Sequence, residues 1–162
     1  MAQRYFHCAP LPLHIGSIIY QGNWGRLFSL YEAKVGEGLP TNSFKEVVLE
    51  LSRKLYAPDA PSRLDCVFVT PTLEEGVAFR NKYQRTSIIY EVTPVRDSPR
   101  SHVGSYELAL APYPQKYFQA IFDMARDYWT IPAATNREVL LGSAVRIERV
   151  CEVPLPPPLV FQ

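Results

Sequence analysis

The chain is poor in cysteine, has no excess of charge of either sign and contains no long apolar run. Its three cysteines, Cys8, Cys66 and Cys151, lie far apart without a CxxC pair, which argues against a disulfide framework and against a cysteine-ligated metal site. The 17 basic and 16 acidic residues give a net charge of +1, so no overall field favours nucleic acid or a membrane surface. Because no apolar segment approaches the length that crosses a bilayer, we expect a cytoplasmic protein.

Glycine-rich nucleotide-binding loops are also missing. No GxGxxG or Walker loop occurs, and strand and helix signals do not alternate regularly, so a doubly wound fold is not indicated. The 162 residues do include 47% hydrophobic side chains, enough for one core. We predict a single α+β domain over residues 1–153, built on a small, largely antiparallel sheet. The proline-rich residues 154–162 favour polyproline II, which either lies along the domain surface or serves as a ligand for an aromatic groove.

Three stretches have the apolar spacing of helices. Residues 43–56 repeat apolar side chains every three or four positions, with Ser43 as the predicted N-cap and Glu46 as its capping-box partner. A second helix is predicted after Thr72, and a third over residues 114–129. The apolar positions that we expect in the core are Phe44, Val47, Val48, Leu51 and Leu55 in the first helix, and Tyr117, Ile121, Met124, Ala125 and Tyr128 in the third.

Six segments rich in β-branched and aromatic residues predict strands. They cover residues 4–8, 17–20, 63–70, 86–92, 138–141 and 144–150. Gly142 and Ser143 lie between the last two and predict a two-residue hairpin. Glu138 enters the first of these two strands from a loop, so we expect its carboxylate at a strand edge, facing a cleft; alternatively, it is an ordinary exposed strand residue. Residues 96–105 are predicted as a polar link, and residues 22–26 as a tight loop.

The order of these segments resembles the ADP-ribosyltransferase fold. Residues 67–92 are similar to its central strand, helix and strand; residues 4–7 are similar to its first motif strand. Residues 137–141 are similar to its last motif strand, where that family carries its catalytic glutamate. With residues 61–65, the chain also resembles a bacterial or phage family of unknown function assigned to that fold. The resemblance covers residues 4–150 and implies a split, mostly antiparallel sheet with flanking helices.

The resemblance implies a glycosyltransferase that uses NAD as its substrate and needs no metal. Glu138 is then the catalytic carboxylate, hydrogen-bonded to a ribose hydroxyl while positive charge develops on the ribose. The first motif residue, which holds the ribose or pyrophosphate, is His7 in one subgroup and Arg4 in another, and both remain open. Thr70 takes the second motif and supports the glutamate or the nicotinamide pocket. Each also has a structural interpretation: His7 as a core histidine and Thr70 as a turn residue.

The resemblance implies further candidates for the NAD site: Phe68 and Phe79 stand where some members of that fold stack two aromatic rings on nicotinamide. Tyr83 is also a candidate, although the four-residue spacing of Phe79 and Tyr83 on one helical face favours core packing. Arg63 and Arg26 are candidate pyrophosphate ligands, since guanidinium pairs well with phosphate oxygens, but surface arginines are common. Asn136 stands two residues before Glu138, where protein-modifying members often carry Glu or Gln, and is the candidate acceptor contact.

The acceptor and the oligomeric state are not predicted by the sequence. ADP-ribose could pass to a protein, to a nucleobase or to water, and water would make the chain an NAD glycohydrolase. A non-catalytic binding domain that keeps the fold is the alternative from a different functional class.

Overall fold

A computed structural model describes residues 3–30, 41–110 and 117–153 of the chain. This part is an α+β structure, as predicted, with antiparallel strand pairs and five α-helices. Within these ranges, no helix combines the length and the hydropathy that a membrane span requires. In chain order, the elements are β1 (Tyr5–Ala9), β2 (Ile18–Ile19), α1 (Asn23–Ser29), α2 (Thr41–Tyr56), a 3₁₀ turn (Arg63–Asp65), β3 (Val67–Val69), α3 (Leu73–Tyr83), β4 (Ile88–Pro94), β5 (Ser101–Ser105), α4 (Tyr106–Leu110), α5 (Tyr117–Thr130), β6 (Arg137–Leu141) and β7 (Val145–Glu152).

The strands form two sheets, whose edges are joined by an isolated bridge. The first sheet has the order β1-β4-β7-β2 and the second the order β3-β6-β5. An isolated bridge joins them: the N–H of Phe6 donates to the carbonyl of Thr70 at 2.9 Å, and the N–H of Thr70 donates to the carbonyl of Phe6 at 2.8 Å. The edge of β1 therefore continues into the edge of β3.

Two apolar clusters lie on opposite faces of β6. Val139 and Leu141 belong to a cluster that joins the two sheets, whereas Leu140 belongs to one that joins the second sheet to α2 and α5. Successive side chains of a strand point to opposite faces, so β6 is covered on both sides. A charged residue on this strand is therefore buried unless it lies at the strand's end and faces an opening.

The predicted hairpin between the last two strands is wrong. Consecutive strands β6 and β7 lie in different sheets: β6 pairs with β3 and β5, and β7 pairs with β4 and β2. The connection between them bonds to the link after β4 instead. The N–H of Gly142 donates to the carbonyl of Arg100, and the N–H of Val95 donates to the carbonyl of Ala144, both at 2.9 Å. Part of the predicted polar link, Ser101–Ser105, is the edge strand β5, whose exposed residues hide its periodicity.

The buried face of α2 differs in part from the predicted one. Val48 is buried and Phe44 packs against the core, as expected. Val47, Leu51 and Leu55 are exposed, however, whereas Lys45 and Glu46 are buried. The helix also begins at Thr41, so Ser43 is not its N-cap and Glu46 is not a capping-box residue. For Val47, Leu51 and Leu55, the apolar spacing predicts the wrong face of the helix. Charged side chains on the other face are buried because the structure supplies partners for them.

Most other predicted elements are close to their positions in the structure. The predicted strand over residues 63–70 is an exception, because its first part is the 3₁₀ turn and only Val67–Val69 form β3. The hydroxyl of Thr72 accepts a hydrogen bond from the N–H of Glu75 at 3.2 Å, which confirms Thr72 as the cap of α3. Ile121, Ala125 and Tyr128 of α5 are buried, as expected. Residues 22–26 include the start of α1 rather than only a loop. Residues 114–116 of the predicted third helix and the tail 154–162 lie outside the described residues.

Candidate functional site

Glu138 is buried in the second sheet. It is the second residue of the central strand β6, and only 8% of its surface is exposed, so the alternative of an ordinary exposed strand residue is wrong. Its Oε1 atom accepts a hydrogen bond from Tyr128 Oη at 2.8 Å and another from Arg63 Nη1. The carboxylate is therefore fixed by two donors from other parts of the fold: the 3₁₀ turn before β3, and α5.

Arg63 is the centre of this site. Its Nε donates to Glu46 Oε2 on α2 at 3.1 Å, and its Nη1 donates to Tyr128 Oη at 2.7 Å. The guanidinium also stacks on the ring of Phe68, 4.9 Å from the centroid, and on the ring of Tyr128 at 5.0 Å. Two carboxylates and two aromatic faces thus surround one buried cation. We call Lys45, Glu46, Arg63, Tyr128 and Glu138 the buried charge cluster.

The charges of the cluster are set by burial and by one another. Burial alone acts to lower the pKa of Arg63, but its interactions with Glu138, Tyr128 and Glu46 outweigh this effect, so its pKa lies above the ordinary value. Burial raises the pKa of Tyr128, against the effect of Arg63, and its hydroxyl stays neutral. Burial also lowers the pKa of Lys45, an effect that Glu46 partly offsets. At neutral pH, the tyrosine hydroxyl accepts from Arg63 and donates to Glu138.

Thr70 lies beside Glu138, on the neighbouring strand end. Val69 pairs with Val139 in the antiparallel register, so the next positions along the two strands are Thr70 and Glu138. The Thr70 hydroxyl faces two backbone acceptors: the carbonyl of Thr72 at 3.1 Å and, more distant, the carbonyl of Phe6 at 3.4 Å. The contact with Thr72 agrees with the turn interpretation of Thr70, and neither contact reaches the glutamate.

Of the two first-motif candidates, His7 is the one that contacts the second sheet. Its Nδ1 lies 2.8 Å from the carbonyl oxygen of Phe68 on β3, and burial lowers its pKa. Arg4 instead forms a 3.0 Å ion pair with Glu91, which also binds Arg149. Arg4 is thus held against the first sheet, on the β4 side of β1.

Phe79 and Tyr83 pack in an aromatic group rather than standing free. Their ring centroids are 5.4 Å apart, and they lie 5.2 and 5.9 Å from the ring of Tyr106. The hydroxyl of Tyr106 donates to Asn136 Oδ1 at 3.0 Å, and Asn136 has a φ of +54° in the turn before β6. The candidate acceptor residue is therefore held by the same aromatic group.

Arg26 lies in a different part of the molecule. It is on α1 and lines a cleft of about 530 Å³, and the described residues lining that cleft do not include Glu138, Thr70 or His7. The structure therefore brings Arg63, Thr70 and Glu138 into one neighbourhood, with His7 across the bridge between the sheets. It keeps Arg26 and Arg4 apart from them.

Comparison with known protein families identifies the family of this chain. Residues 29–152, well over half of the chain, match the model of the family of proteins of unknown function DUF2441. The chain belongs to this family. No curated protein matches the sequence. The DUF2441 region includes the whole buried charge cluster. Arg4, β1 with His7, and most of α1 with Arg26 precede it.

Several residues of the site in this DUF2441 protein were not predicted as site residues from the sequence. Tyr128 was expected only as a core residue, and Glu46 only as a helix cap. One usable signal exists: Lys45 and Glu46 precede Leu49 by four and three residues, so a helix that buries Leu49 also turns these charges inward. In the described ranges, no group of three or more His, Cys, Asp or Glu is suited to hold a metal ion.

Proposed function

We propose that this protein is an NAD-consuming ADP-ribosyltransferase in which Glu138 is the catalytic carboxylate. It would release nicotinamide and transfer ADP-ribose to a macromolecular acceptor. The observation that carries the proposal is the adjacency of three strands, β1, β3 and β6, that resemble the three motif strands of that fold. Thr70 and Glu138 are neighbours across β3 and β6, and β1 joins β3 at the bridge between Phe6 and Thr70.

The way in which Glu138 is held suits this chemistry. Both of its hydrogen bonds reach Oε1, and within residues 3–30, 41–110 and 117–153 no group donates to Oε2. In the proposed reaction, Oε2 accepts a hydrogen bond from the ribose 2′-hydroxyl as the bond to nicotinamide breaks and the ribose becomes positively charged. A carboxylate oriented in advance stabilises that charge without reorganising. Arg63 and Tyr128 are the positioning residues in this scheme.

His7 contributes a hydrogen-bond acceptor in the proposed mechanism. A carbonyl oxygen can only accept, so the 2.8 Å contact with Phe68 requires a proton on Nδ1 of the ring. Because burial lowers its pKa, the ring is neutral at pH 7 and Nε2 carries a lone pair. A ribose hydroxyl of NAD would donate to that nitrogen, and Asn136 is kept as the proposed acceptor contact.

The test compares two carboxylates that bind the same arginine. Purified wild-type protein and the variants Glu138→Gln and Glu46→Gln are incubated with NAD, and nicotinamide release is followed by chromatography. We expect Glu138→Gln to lower the rate by about 100-fold or more, and Glu46→Gln to retain most of it, since only Glu138 contacts the ribose. Thermal unfolding of each variant separates a lost reaction from a lost fold. Full activity in Glu138→Gln would overturn the mechanism.

A non-catalytic binding domain is the second candidate function. The observation in its favour is that Arg63 already neutralises Glu138 inside a buried network, an arrangement that also occurs as a purely structural ion cluster. Calorimetry with millimolar NAD distinguishes the two, because a domain that has lost the chemistry and the substrate gives no binding heat. If nicotinamide is released and all ADP-ribose stays free in solution, water is the acceptor and the protein is an NAD glycohydrolase.

A further inference from the structure

A concave site apart from Glu138 lies beside α1, where the link after β4 meets the connection between β6 and β7. The cleft has a volume of about 530 Å³, within the range of small-ligand sites. Its walls come from the segment after β2, from α1, from the link after β4 and from the connection between β6 and β7. The residues that matter for a ligand are Tyr20, Arg26, Arg96 and Ser143.

The described lining of this cleft is positively charged, since it includes two arginines and neither Asp nor Glu. The Asp65 carboxylate lies near Arg26 Nη1, on the Gly22 side, but it is outside the lining and forms no salt bridge with Arg26. In the described part of the chain, seven other arginines form salt bridges with carboxylates, but Arg26 and Arg96 do not. Two like charges at one cleft repel each other, and a bound anion removes that cost. The charge distribution therefore favours an anionic ligand.

The segments that carry the two arginines are held in place. The N–H of Arg96 donates to Ser143 Oγ at 3.2 Å, and Ser143 Oγ donates to the carbonyl of Ala144 at 2.8 Å; Ser143 is only 1% exposed. Arg26 Nη1 donates to the carbonyl of Gln21 at 3.2 Å, and its Nη2 donates to Asn23 Oδ1. A guanidinium has five N–H donors, so donors remain for a ligand.

We propose that this cleft binds the phosphoryl group of a small phosphorylated ligand through Arg26 and Arg96. Guanidinium matches phosphate oxygens in bidentate geometry, and the exposed ring of Tyr20 provides a wall for the organic part of the ligand. Ser143 stands five positions beyond Glu138, roughly 16 Å at the rise of a strand. The site is therefore separate from Glu138 and does not depend on the proposed NAD chemistry.

Calorimetric titration with inorganic phosphate, adenosine monophosphate and adenosine tests the site. We expect the two phosphate-bearing probes to bind and adenosine to give no heat. Arg26→Ala and Arg96→Ala should each weaken binding by about tenfold or more, as for a lost charged hydrogen bond. Arg146→Ala is the matched control: Arg146 is also exposed and without a salt bridge in the described residues, but it does not line the cleft, so binding should be unchanged.

The two phosphate probes also separate the sources of the phosphoryl group. Equal affinity for both indicates a site for the free anion, whereas tighter binding of the nucleotide indicates a phosphate ester whose organic part contacts Tyr20; either result supports the site. Absence of binding by both probes at millimolar concentration would overturn it. So would an equal loss in Arg146→Ala, which would mean that only general charge attracts the ligand. These titrations contain no NAD, so a negative nicotinamide assay leaves their result unaffected.

Discussion

The ring of Tyr128 rests directly on Gly104. A Cβ atom on Gly104 would lie 2.5 Å from two carbons of that ring, closer than any real contact. Gly104 on β5 is paired in register with Glu138 on β6. The missing side chain therefore makes room for Tyr128 to reach across the edge strand and donate its hydroxyl hydrogen to Glu138.

We expect Gly104→Ala to destabilise the protein, because the new methyl group displaces the Tyr128 ring and breaks its hydrogen bond to Glu138. Overpacking of this kind costs about 1–3 kcal/mol of unfolding free energy, measured by urea denaturation. The same substitution in a Tyr128→Leu background should lower the free energy of unfolding by less, because the Tyr128 ring is absent there. Equal costs in the two backgrounds would show that Tyr128 is not the group displaced.

Removing Arg63 should be more harmful than removing the whole ion network. Arg63→Met removes the guanidinium that pairs with both Glu46 and Glu138 and leaves only Lys45 as a buried cation beside them. Breaking one side of a buried pair costs about 3–5 kcal/mol. Adding Glu46→Gln and Glu138→Gln removes the uncompensated charges, so the triple variant should be more stable than the single one. Melting temperatures of the two proteins provide the comparison. A triple variant that melts no higher would mean that Arg63 acts through packing alone.

Stability should fall as the pH drops below about 6.5, the usual pKa of histidine, with His7 as one cause. Burial lowers the pKa of His7 in the folded chain, so just below pH 6.5 the unfolded chain takes up a proton that the folded one does not. The folded chain therefore keeps this stability above the pKa of histidine in the unfolded chain. It loses it as the pH falls from that value towards the lower pKa of His7 in the folded chain. His7→Asn should flatten this pH dependence in urea titrations at pH 7.5 and 5.5. His102, whose pKa is also lowered by burial, leaves a residual slope.

The control for this prediction is His14, which is exposed. His14→Asn should leave the difference in unfolding free energy between the two pH values as in the wild type. An unchanged slope in His7→Asn would show that protonation of this side chain does not oppose folding.

Cys8 should react slowly in the folded protein. Burial raises its pKa to about 11, against the opposing effect of Arg80, and the thiolate is the reactive form. At pH 8, iodoacetamide should alkylate Cys8 about 100-fold more slowly in the native protein than in urea, since the thiolate fraction falls with the raised pKa. Peptide mapping by mass spectrometry measures both rates. Comparable rates would place the Cys8 thiol in contact with water.

Local patterns in the chain were sufficient for most helices and strands. The cap at Thr72 and the apolar repeat in α5 depend on contacts within a few residues, and both predictions are confirmed. The edge strand β5 was missed because a sheet edge tolerates polar residues, so it lacks the alternation that identifies a strand. The hairpin after Leu141 was wrong because a short turn does not specify which strand pairs with which.

The composition of the site depended on contacts across long sequence separations. Glu138 was found from its place at the start of an apolar strand, but its partners Arg63 and Tyr128 come from the 3₁₀ turn and from α5. No spacing rule relates those three positions. The exposed apolar residues of α2 show the same limit, since the helix turns Glu46 inward to meet Arg63.

Short-range chemistry in the chain thus decided the α+β class, the position of most elements and the strand that carries Glu138. Which strands pair, which face of α2 is buried and which cation meets each carboxylate were decided by the folded arrangement alone. The physical reason is that a charge enters the interior only where an opposite charge from a distant segment meets it, and that meeting is a property of the assembled sheets and helices.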